Sequence, residues 1–272
     1  MSVYRNDNPE HFRIAVESVT IHQTLSPSEM ILVVDGPVPV NIDKVINELQ
    51  KEITIPFNLI RLPRNLGHAG ARQTGLKAAK YEYVAIMDSD DISLPDRFEK
   101  QMHFFEQHPN VDVLGGQIAE FIDDQKNIVG ERIVPESDED IKIYMKSRCP
   151  MNLVTVIGKT ESIQKVGGYI DWYCEEDYYL WIRMMLANCK FANIPDILVN
   201  VRVGKEMYSR RGGCRYFKSE AKLQKLMFHK HIISFPRFIF NVFARLAVQV
   251  LMPNSVRGFI FQKLFRKKVI KN

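Results

Sequence analysis

The sequence predicts an α/β protein with a central, mostly parallel sheet, a mixed second half and amphipathic helices at its C-terminus. Up to Asp91, short apolar segments alternate with segments whose apolar residues recur at helical spacing, which is typical of a parallel sheet covered on both faces. After Asp91, the apolar stretches 111–121 and 128–134 follow each other closely, which indicates an antiparallel pair. From residue 232 onward, a narrow polar stripe recurs every fourth position in an otherwise apolar segment.

Local signals justify the elements of the first half in turn. Asn8 and Pro9 have the identities of an N-cap and a first helical position, so they begin a helix. The apolar run 30–34 stops at an Asp-Gly-Pro turn, which ends a strand. The predicted strands cover residues 2–4, 30–34, 57–62 and 83–87, and the predicted helices cover residues 9–19, 42–49 and 67–80, the last one entered through a loop.

The second half shows a different pattern. Asp96 begins an amphipathic helix, a short helix over 161–166 ends at a Gly-Gly pair, and a longer helix covers 176–187. Residues 197–203 alternate like a strand. We therefore expect one continuous domain, residues 1–204, with two functional sides that meet near residue 91. Residues 1–91 form one side, residues 92–204 form the other, and residues 205–272 form a tail.

The distribution of charge separates this tail from the body. The net charge of +5 combines 21 Lys and Arg against 30 Asp and Glu in residues 1–203 with 16 against 2 in residues 204–272. A basic tail predicts an anionic partner, either nucleic acid or a membrane surface.

The four cysteines are widely spaced without a CxxC pair, which predicts neither a zinc site nor a disulfide framework. The N-terminal residues lack an apolar core of signal-peptide length, so we expect the body to stay in the cytoplasm.

The functional prediction centres on the stretch YVAIMDSDD, which begins at Tyr83. Five uncharged residues lead into three carboxylates in four positions, as when a buried parallel strand delivers acids to the carboxyl edge of a sheet. If the strand continues, Asp88 and Asp90 point the same way and can share one hard cation. The alternative is a turn in which Asp91 caps the following segment.

Other charged residues are predicted at the same edge. Asp35 ends the second strand, residues 64–67 follow the third, and Arg72 lies in the first turns of the next helix. Each has a plain alternative, respectively an Asp-Gly turn, an ordinary loop and a solvated helix residue. Their order along the chain favours convergence on one nucleotide.

With these motifs in view, the sequence resembles the glycosyltransferase family 2 enzymes, which have the GT-A fold, a Rossmann-like α/β fold. The closest likeness is to bacterial enzymes that build capsule, exopolysaccharide or O-antigen repeat units. The resemblance spans roughly residues 1–204, of which 1–91 would be the nucleotide-binding half and 92–204 the acceptor-binding half. The segments that carry it are SVYRND from Ser2, VVDG from Val33, NLGHAGARQTGL from Asn65, YVAIMDSDDISLPDRFEKQ from Tyr83, GGY from Gly167 and EEDYYLWIRM from Glu175.

The resemblance implies how the nucleotide base is held. Val3, Tyr4 and Arg5 would border the base, and Asp35 would accept a hydrogen bond from its ring, typically uracil. Arg72 would lie near the base or the diphosphate.

The resemblance also implies how the diphosphate and the donor sugar are held. Asn65 and Gly67 would line the donor site. Asp88 would contact the ribose or the donor sugar, with Ser89 beside it. Asp90 would hold Mn²⁺ or Mg²⁺ against both phosphates, and Asp88 is the second candidate ligand.

Asp177, at the start of the helix over 176–187, would be the general base. Glu175 and Glu176 would raise its proton affinity through repulsion between like charges. A single in-line displacement would then invert the anomeric carbon. The alternative is that these acids only complement the helix dipole. Trp172, just before them, is either a core or rim residue or a platform for the acceptor ring.

The tail is expected to lie on a membrane surface. Residues 232–252 form an apolar helix with a polar stripe of Arg237, Asn241, Arg245 and Gln249. Two arginines make it a poor transmembrane span, because a cation in mid-bilayer costs roughly 2.5–3.5 kcal/mol on insertion scales. A second basic segment, 259–268, would add attraction to an anionic leaflet. The alternatives are an ordinary helix packed on the body and, disfavoured by the wide apolar face, a nucleic-acid-binding arm.

We therefore expect an inverting, metal-dependent glycosyltransferase that moves a sugar from a UDP-sugar to a lipid-linked saccharide. It would be cytoplasmic and peripheral on the inner face of the cell membrane, with no nucleic acid as partner. One rival is a phosphatase with an aspartyl nucleophile, although such nucleophiles usually follow the first strand. The other is a non-catalytic nucleotide-binding scaffold, which the acids at 88, 90 and 177 together disfavour.

Overall fold

The protein folds into two sheets covered by helices. The computed structural model describes residues 1–204 and 212–252. A three-stranded parallel sheet is followed by a six-stranded mixed sheet, so the predicted α/β class and mixed second half are confirmed. The predicted second basic segment of the tail lies outside the described residues.

The first sheet matches the predicted elements closely. β2 pairs in parallel with β1 on one side and β3 on the other. The predicted N-cap is confirmed, because Asn8 Oδ1 accepts hydrogen bonds from Glu10 N at 2.9 Å and His11 N at 3.2 Å. The elements are β1 (Ser2–Val3), α1 (Pro9–Val19), β2 (Met30–Val34), α2 (Val40–Glu52), β3 (Phe57–Arg61) and α3 (Gly67–Ala78).

The second sheet contains the antiparallel pair that the sequence predicts. Its strand order is β4-β8-β6-β9-β5, and β7 pairs antiparallel with β6. β9 is longer than predicted, because it begins at Phe191 and pairs in parallel with β6, which is buried along its whole length. The elements are β4 (Tyr83–Ala85), β5 (Ile92–Ser93), α4 (Arg97–Gln107), β6 (Val113–Phe121), β7 (Ile128–Arg132), α5 (Asp138–Met145), β8 (Ile157–Lys159), α6 (Thr160–Lys165), α7 (Glu176–Leu186) and β9 (Phe191–Arg202).

The strand before the acids differs from the prediction. β4 is three residues long and pairs antiparallel with β8, so it is not a buried parallel strand of the first sheet. The chain has left the strand conformation before Asp88, and residues 89–90 form a turn. The strand does not continue through the acids, so the condition for Asp88 and Asp90 to point the same way by strand alternation is not met. The acids are presented by a loop, and tertiary contacts decide where each one points.

The first described part of the tail belongs to the folded body. Two further helices, α8 (Cys214–His229) and α9 (Phe235–Leu246), follow, and a π-helical segment (Ala247–Leu251) continues α9. Leu223 and Met227 of α8 are fully buried in the same apolar cluster as Tyr178 and Trp181 of α7. Within the described residues, no helix is both long enough and apolar enough to span a membrane.

The amphipathic helix α9 packs with its polar stripe inward. Asn241 is 2% exposed, and its Nδ2 donates to Gln224 Oε1 at 2.7 Å and to Lys146 O at 2.9 Å. Arg245 pairs with Glu220 and donates to Ser147 O. The helix is thus packed on the folded body, as the alternative interpretation held, but in an orientation that leaves apolar side chains facing outward. The large outward-facing residues are Phe235, Ile239, Phe240, Phe243 and Leu251.

Candidate active site

The three acids after β4 have different surroundings. Asp91 is 4% exposed, and its Oδ1 accepts a hydrogen bond from Arg202 N at 2.8 Å. Arg202 Nε in turn donates to Asp90 O at 3.2 Å. Asp91 therefore connects residues 88–91, called the acid loop below, to the end of β9. Asp88 instead accepts a hydrogen bond from Arg72.

Asp90 lies in a group of carboxylates. Desolvation, followed by repulsion from Asp88 and Asp7, raises the pKa of Asp90 to about 6. Asp7 accepts hydrogen bonds from Ser89 Oγ at 2.8 Å and from Tyr4 N at 3.1 Å, and so ties the loop after β1 to the acid loop. Asp7 was missed as a site residue, although it ends the SVYRND segment.

This acid group suits a hard divalent cation. Carboxylate oxygens are the ligands that Mg²⁺ and Mn²⁺ prefer, and a cation here would relieve the repulsion that raises the pKa of Asp90. Among the described residues, no three His, Cys, Asp or Glu side chains are arranged to hold a metal ion by themselves. Asp90 and Asp88 therefore fit a cation whose remaining ligands would be water and substrate phosphates.

Arg72 of α3 joins this acid group to the start of α7. Its Nη2 donates to Asp88 Oδ1 at 2.8 Å and its Nη1 to Glu176 Oε1 at 2.7 Å. Burial of the guanidinium opposes its charge, but the two carboxylates together raise the pKa of Arg72 above its usual value. Although burial disfavours the charge of Asp88, Arg72 holds the pKa of that carboxyl below its usual range.

Asp177 lies in the first turn of α7, directly after Glu176. Its carboxylate is half-buried, with Oδ1 accepting from Tyr178 N at 2.7 Å and Oδ2 at 3.7 Å from Cys149 Sγ. Arg72 pairs with Glu176 rather than with Asp177. Since Asp88 and Glu176 bind the same guanidinium, the first turn of α7 faces the acid loop across a short gap.

The two glutamates beside Asp177 point to different partners. Glu176 forms an ion pair with Arg72, whereas Glu175 is 4% exposed and accepts a hydrogen bond from Tyr216. Burial, followed by repulsion from Glu220, raises the pKa of Glu175 well above its usual range. Repulsion from Asp177 contributes to the raised pKa of both glutamates, after burial for Glu176 and after burial and Glu220 for Glu175. The predicted effect of the two glutamates on Asp177 itself stays a prediction.

Asp35 organises the loop at the end of β3. Its Oδ1 accepts from Leu66 N at 2.6 Å and its Oδ2 from Gly67 N at 3.0 Å, so it fixes the entry to α3. Asn65 Nδ2 donates to Asp35 O at 3.3 Å. Gly36 adopts φ +85°, and a Cβ there would lie 2.7 Å from Asn65 N, so the turn requires glycine. These contacts place Asp35, Asn65 and Gly67 together, and their contact with a nucleotide stays a prediction.

Val3, at the end of β1, and the two residues after it differ in the exposure of their side chains. The Val3 side chain is buried in the core, and its carbonyl accepts from Asp35 N at 2.8 Å. Tyr4 is half-buried and Arg5 is exposed. The side chain of Val3 is therefore inaccessible, whereas those of Tyr4 and Arg5 are accessible, and contact of the main chain or side chains of these residues with a base stays a prediction.

Tyr169, from the GGY segment, was given no role in the sequence analysis. Its side chain is buried, and its hydroxyl has no hydrogen-bond partner among the described residues. Arg72 and Asp177 are among the charges that act on this hydroxyl. Trp172, by contrast, is packed between Tyr179 and Lys222 and donates to Ser219 O at 3.2 Å, which is the core-or-rim alternative.

Comparison with known proteins identifies the family. Residues 3–164 match the family model described as "Glycosyl transferase family 2". A relative from Haemophilus influenzae, named only as an uncharacterized glycosyltransferase, is 40% identical over 98% of both chains. The chain belongs to glycosyl transferase family 2.

Two further relatives of this family 2 chain have specific names. The amylovoran biosynthesis glycosyltransferase AmsE of Erwinia amylovora is 34% identical over 97% of both chains. A UDP-Gal:alpha-D-GlcNAc-diphosphoundecaprenol beta-1,3-galactosyltransferase of Escherichia coli is 34% identical over 98% of this chain and 95% of that protein. The chain is therefore a glycosyltransferase of bacterial polysaccharide synthesis, and the phosphatase and scaffold alternatives are excluded.

Solved structures confirm the GT-A fold of this family 2 enzyme. S. aureus TarS 1-349 in complex with UDP-GlcNAc has a TM-score of 0.65 at 16% identity, covering 90% of this chain and 71% of that one. The mannosyltransferase PcManGT from Pyrobaculum calidifontis, in complex with GDP-Man and Mn²⁺, has a TM-score of 0.62 at 12% identity, covering 97% and 80%. The match to the family model ends at residue 164, so α7 and Asp177 lie beyond it.

Proposed function

We propose that this glycosyltransferase is an inverting, metal-dependent enzyme that transfers a sugar from a UDP-sugar to a lipid-linked saccharide. Asp90 and Asp88 hold Mn²⁺ or Mg²⁺, Asp177 is the general base, and the reaction takes place at the inner face of the cell membrane. Residues 1–91 bind the nucleotide and residues 92–204 bind the acceptor.

The observation that carries this proposal is the double contact of Arg72. It binds Asp88 at 2.8 Å and Glu176 at 2.7 Å, so residue 177 lies beside the acid loop although the two are far apart in sequence. A donor held by the acid loop and a base held on α7 can then act on the same anomeric carbon. The local sequence by itself does not indicate that α7 lies beside the acid loop.

The charges of the site suit the departure of a nucleoside diphosphate. Asp90 and Asp88 would hold the divalent cation, and its charge would offset the negative charge that develops on the leaving phosphate. Arg72 keeps Asp88 ionised and fixes its orientation, so one carboxylate oxygen is committed to Arg72 and the other is available to the donor. Asp7, Ser89 and Tyr4 hold the acid loop in place.

Asp177 supplies the base. Its Oδ2 has the Cys149 thiol as a weak neighbour at 3.7 Å, a contact that an acceptor hydroxyl can displace. As the acceptor oxygen forms its bond to the anomeric carbon, its proton passes to Asp177 and the bond from that carbon to the diphosphate oxygen breaks. One displacement from the opposite face inverts the configuration of that carbon.

The relatives support the choice of substrates. The E. coli relative is named for UDP-Gal as donor and for a diphosphoundecaprenol-linked GlcNAc as acceptor. TarS binds UDP-GlcNAc in a fold with the same overall topology. A UDP-sugar and a lipid-linked saccharide are thus the substrate classes we assign to this chain.

The outward face of α9 supports docking on a membrane. Phe240 and Phe243 are 66% and 63% exposed, which is unusual for adjacent aromatic residues on one helix. Because α9 is fixed to the body by Asn241 and Arg245, insertion of this face into the headgroup region would place the body against the leaflet. A lipid-linked acceptor would then reach a site held close to its own membrane.

A binding and transfer experiment tests the proposal. Thermal shift with a panel of nucleotide sugars, with and without Mn²⁺, should show stabilisation by UDP-sugars that requires the metal. The stabilising donor is then supplied with diphosphoundecaprenol-linked saccharides, and the anomeric configuration of the product is determined by NMR. Stabilisation that does not depend on metal, or a product with the donor's configuration, would contradict the proposal.

A further inference from the structure

Cations recur along one side of α8. They are spaced three or four residues apart, which places side chains on the same face of a helix, and each of them is exposed. They are Arg215, Lys218, Lys222 and Lys225, called the cationic stripe below. Within the described chain, none of them forms an ion pair with a carboxylate, and the one acid of α8, Glu220, binds Arg245 instead. The stripe is therefore a surface of uncompensated positive charge.

The cationic stripe faces away from α9. Glu220 and Gln224 are the α8 residues that bind α9, through Arg245 and Asn241 respectively. At about 100° of helical turn per residue, the stripe lies roughly 160° around α8 from these two residues. The outward face of α9, which we propose for docking on a membrane, therefore does not account for the stripe.

The stripe contacts the segment that precedes α7. Lys222 Nζ lies 4.6 Å from the centroid of the Trp172 ring. Arg215 Cζ lies 4.0 Å from the centroid of the Tyr173 ring. Between these two cations, Ser219 O accepts from Trp172 Nε1 at 3.2 Å, and Ser219 Oγ donates to Tyr173 O at 2.6 Å. The segment is thus fixed to α8 through its rings and its hydrogen bonds.

The same segment leads directly to the candidate base. Asp177 follows Tyr173 by four residues, so their α-carbons are at most about 14 Å apart. A turn of the chain between them shortens this span further. The charges of Arg215 and of Glu176 both act on the thiol of Cys174. The amino end of the stripe therefore lies beside the part of the site that we assign to the acceptor.

The arginine within the site is already engaged. Arg72 binds both Asp88 and Glu176, so its charge is shared between two carboxylates. The acid loop would repel a further anionic group. The stripe, by contrast, offers cations that have no carboxylate partner in the described chain. An anionic group attached to the acceptor sugar would be drawn to the stripe.

We propose that the cationic stripe is the subsite for the diphosphate of a lipid-linked acceptor. Arg215 and Lys222, which contact the aromatic rings, would bind the phosphate oxygens together with Lys218, which lies between them. Arg and Lys bind such groups through charge-assisted hydrogen bonds. The inference rests on the proposed function, which places the acceptor sugar at Asp177, and it assigns residues to the group that follows this sugar.

Binding of farnesyl diphosphate and of farnesol to the full chain tests this subsite without any sugar. Isothermal titration in the presence of EDTA leaves the donor site without its cation. The wild type should bind farnesyl diphosphate more tightly than farnesol. The double variant R215Q/K222Q should weaken the binding of farnesyl diphosphate about tenfold, because two charge-assisted contacts are lost, and should leave the binding of farnesol unchanged.

Two further variants control for net charge and for structure. K51Q/K126Q removes two exposed lysines elsewhere, so it changes the net charge equally and should bind farnesyl diphosphate like the wild type. R215K/K222R keeps both charges of the stripe and should also bind like the wild type. Equal affinity of the wild type for farnesyl diphosphate and farnesol, or an equal loss in R215Q/K222Q and K51Q/K126Q, would overturn the proposal.

Sedimentation with vesicles that contain phosphatidylglycerol distinguishes the acceptor diphosphate from the headgroups of the leaflet. R215Q/K222Q should bind these vesicles like K51Q/K126Q. Loss of vesicle binding by R215Q/K222Q at an unchanged affinity for farnesyl diphosphate would make the stripe a contact to the leaflet and overturn the proposal. These measurements need neither metal nor donor sugar. They can therefore fail while the metal-dependent binding of UDP-sugars and the transfer reaction, which test the proposed function, succeed.

Discussion

Arg72 binds Glu176 at 2.7 Å across 104 residues of sequence. This contact joins α3, which follows β3 of the first sheet, to α7, which carries the candidate base. Both side chains are largely buried, at 10% and 13% exposed. The pair therefore determines the distance between the two sides of the site.

Replacing Arg72 should disturb stability and catalysis together. Arg72→Met leaves Asp88 and Glu176 without their cation, and loss of one partner of a largely buried pair costs about 3 kcal/mol in the free energy of unfolding. The double variant R72M/E176Q should recover part of this loss, because it removes one uncompensated charge. Urea unfolding of the two single variants and the double variant gives the coupling energy, and strict additivity would contradict the bridge.

Replacing Asp177 should separate binding from transfer. Asp177→Asn keeps the size of the side chain but cannot accept a proton, so kcat should fall by roughly 10²–10⁴ while the donor-induced thermal shift is unchanged. The control is Asp171→Asn, an exposed acid six residues earlier in the chain. Transfer at the wild-type rate by Asp177→Asn would remove this residue as the base.

Replacing Asp90 should remove the dependence on metal. Asp90→Asn replaces a charged ligand of the cation with a neutral amide. The affinity for the UDP-sugar in the presence of Mn²⁺ should therefore fall on the order of 100-fold, similar to the effect of removing one charge-stabilising group from an active site. Isothermal titration at several Mn²⁺ concentrations measures this loss. Asp124→Asn, in the loop before β7, is the matched control, and an equal loss in both variants would argue against Asp90 as a ligand.

The raised pKa of Asp90 predicts a pH-dependent difference in stability in the presence of a metal chelator. Below about pH 4, Asp90 is protonated in both the folded and the unfolded chain, so Asp90→Asn and the wild type should be equally stable. Between about pH 4 and 6 the unfolded chain ionises first, because the pKa of Asp90 is about 6 in the fold. The wild type should therefore lose stability relative to Asp90→Asn as the pH rises through this window, and a gain would contradict the carboxylate cluster.

The outward face of α9 should govern membrane binding. The double variant F240Q/F243Q removes two exposed aromatic side chains, and at about 2 kcal/mol for the pair this should weaken binding to vesicles containing anionic phospholipid by about 30-fold. Ile143→Gln alters an exposed apolar residue on α5 instead and should leave binding unchanged. Point variants are preferable to deletion of the helix, because Asn241 and Arg245 also stabilise the body. If both variants sedimented with vesicles to the same extent as the wild type, the outward face of α9 would be excluded as the membrane-binding surface.

Several parts of the fold follow from short-range signals and were predicted closely. The apolar run 30–34 became β2 with the same bounds, and Asn8 caps α1 as its identity and the following proline indicate. Such elements depend on residues within one or two turns of each other. The partner of a short strand does not, and β4 pairs with β8, which lies more than seventy residues later in the sequence.

The sequence by itself determined the family, the order of the elements and the types of residue brought to the site, because motifs and periodicity are properties of short segments. Only the tertiary structure determined which partner each acid binds. Asp91 binds the backbone of β9, Asp88 binds Arg72, and Asp7, from the loop after β1, binds Ser89 of the acid loop. The same holds for α9, because a stripe with period four is equally compatible with a polar face turned outward or inward. Buried partners at Gln224 and Glu220 stabilise the inward orientation, and no local pattern encodes them.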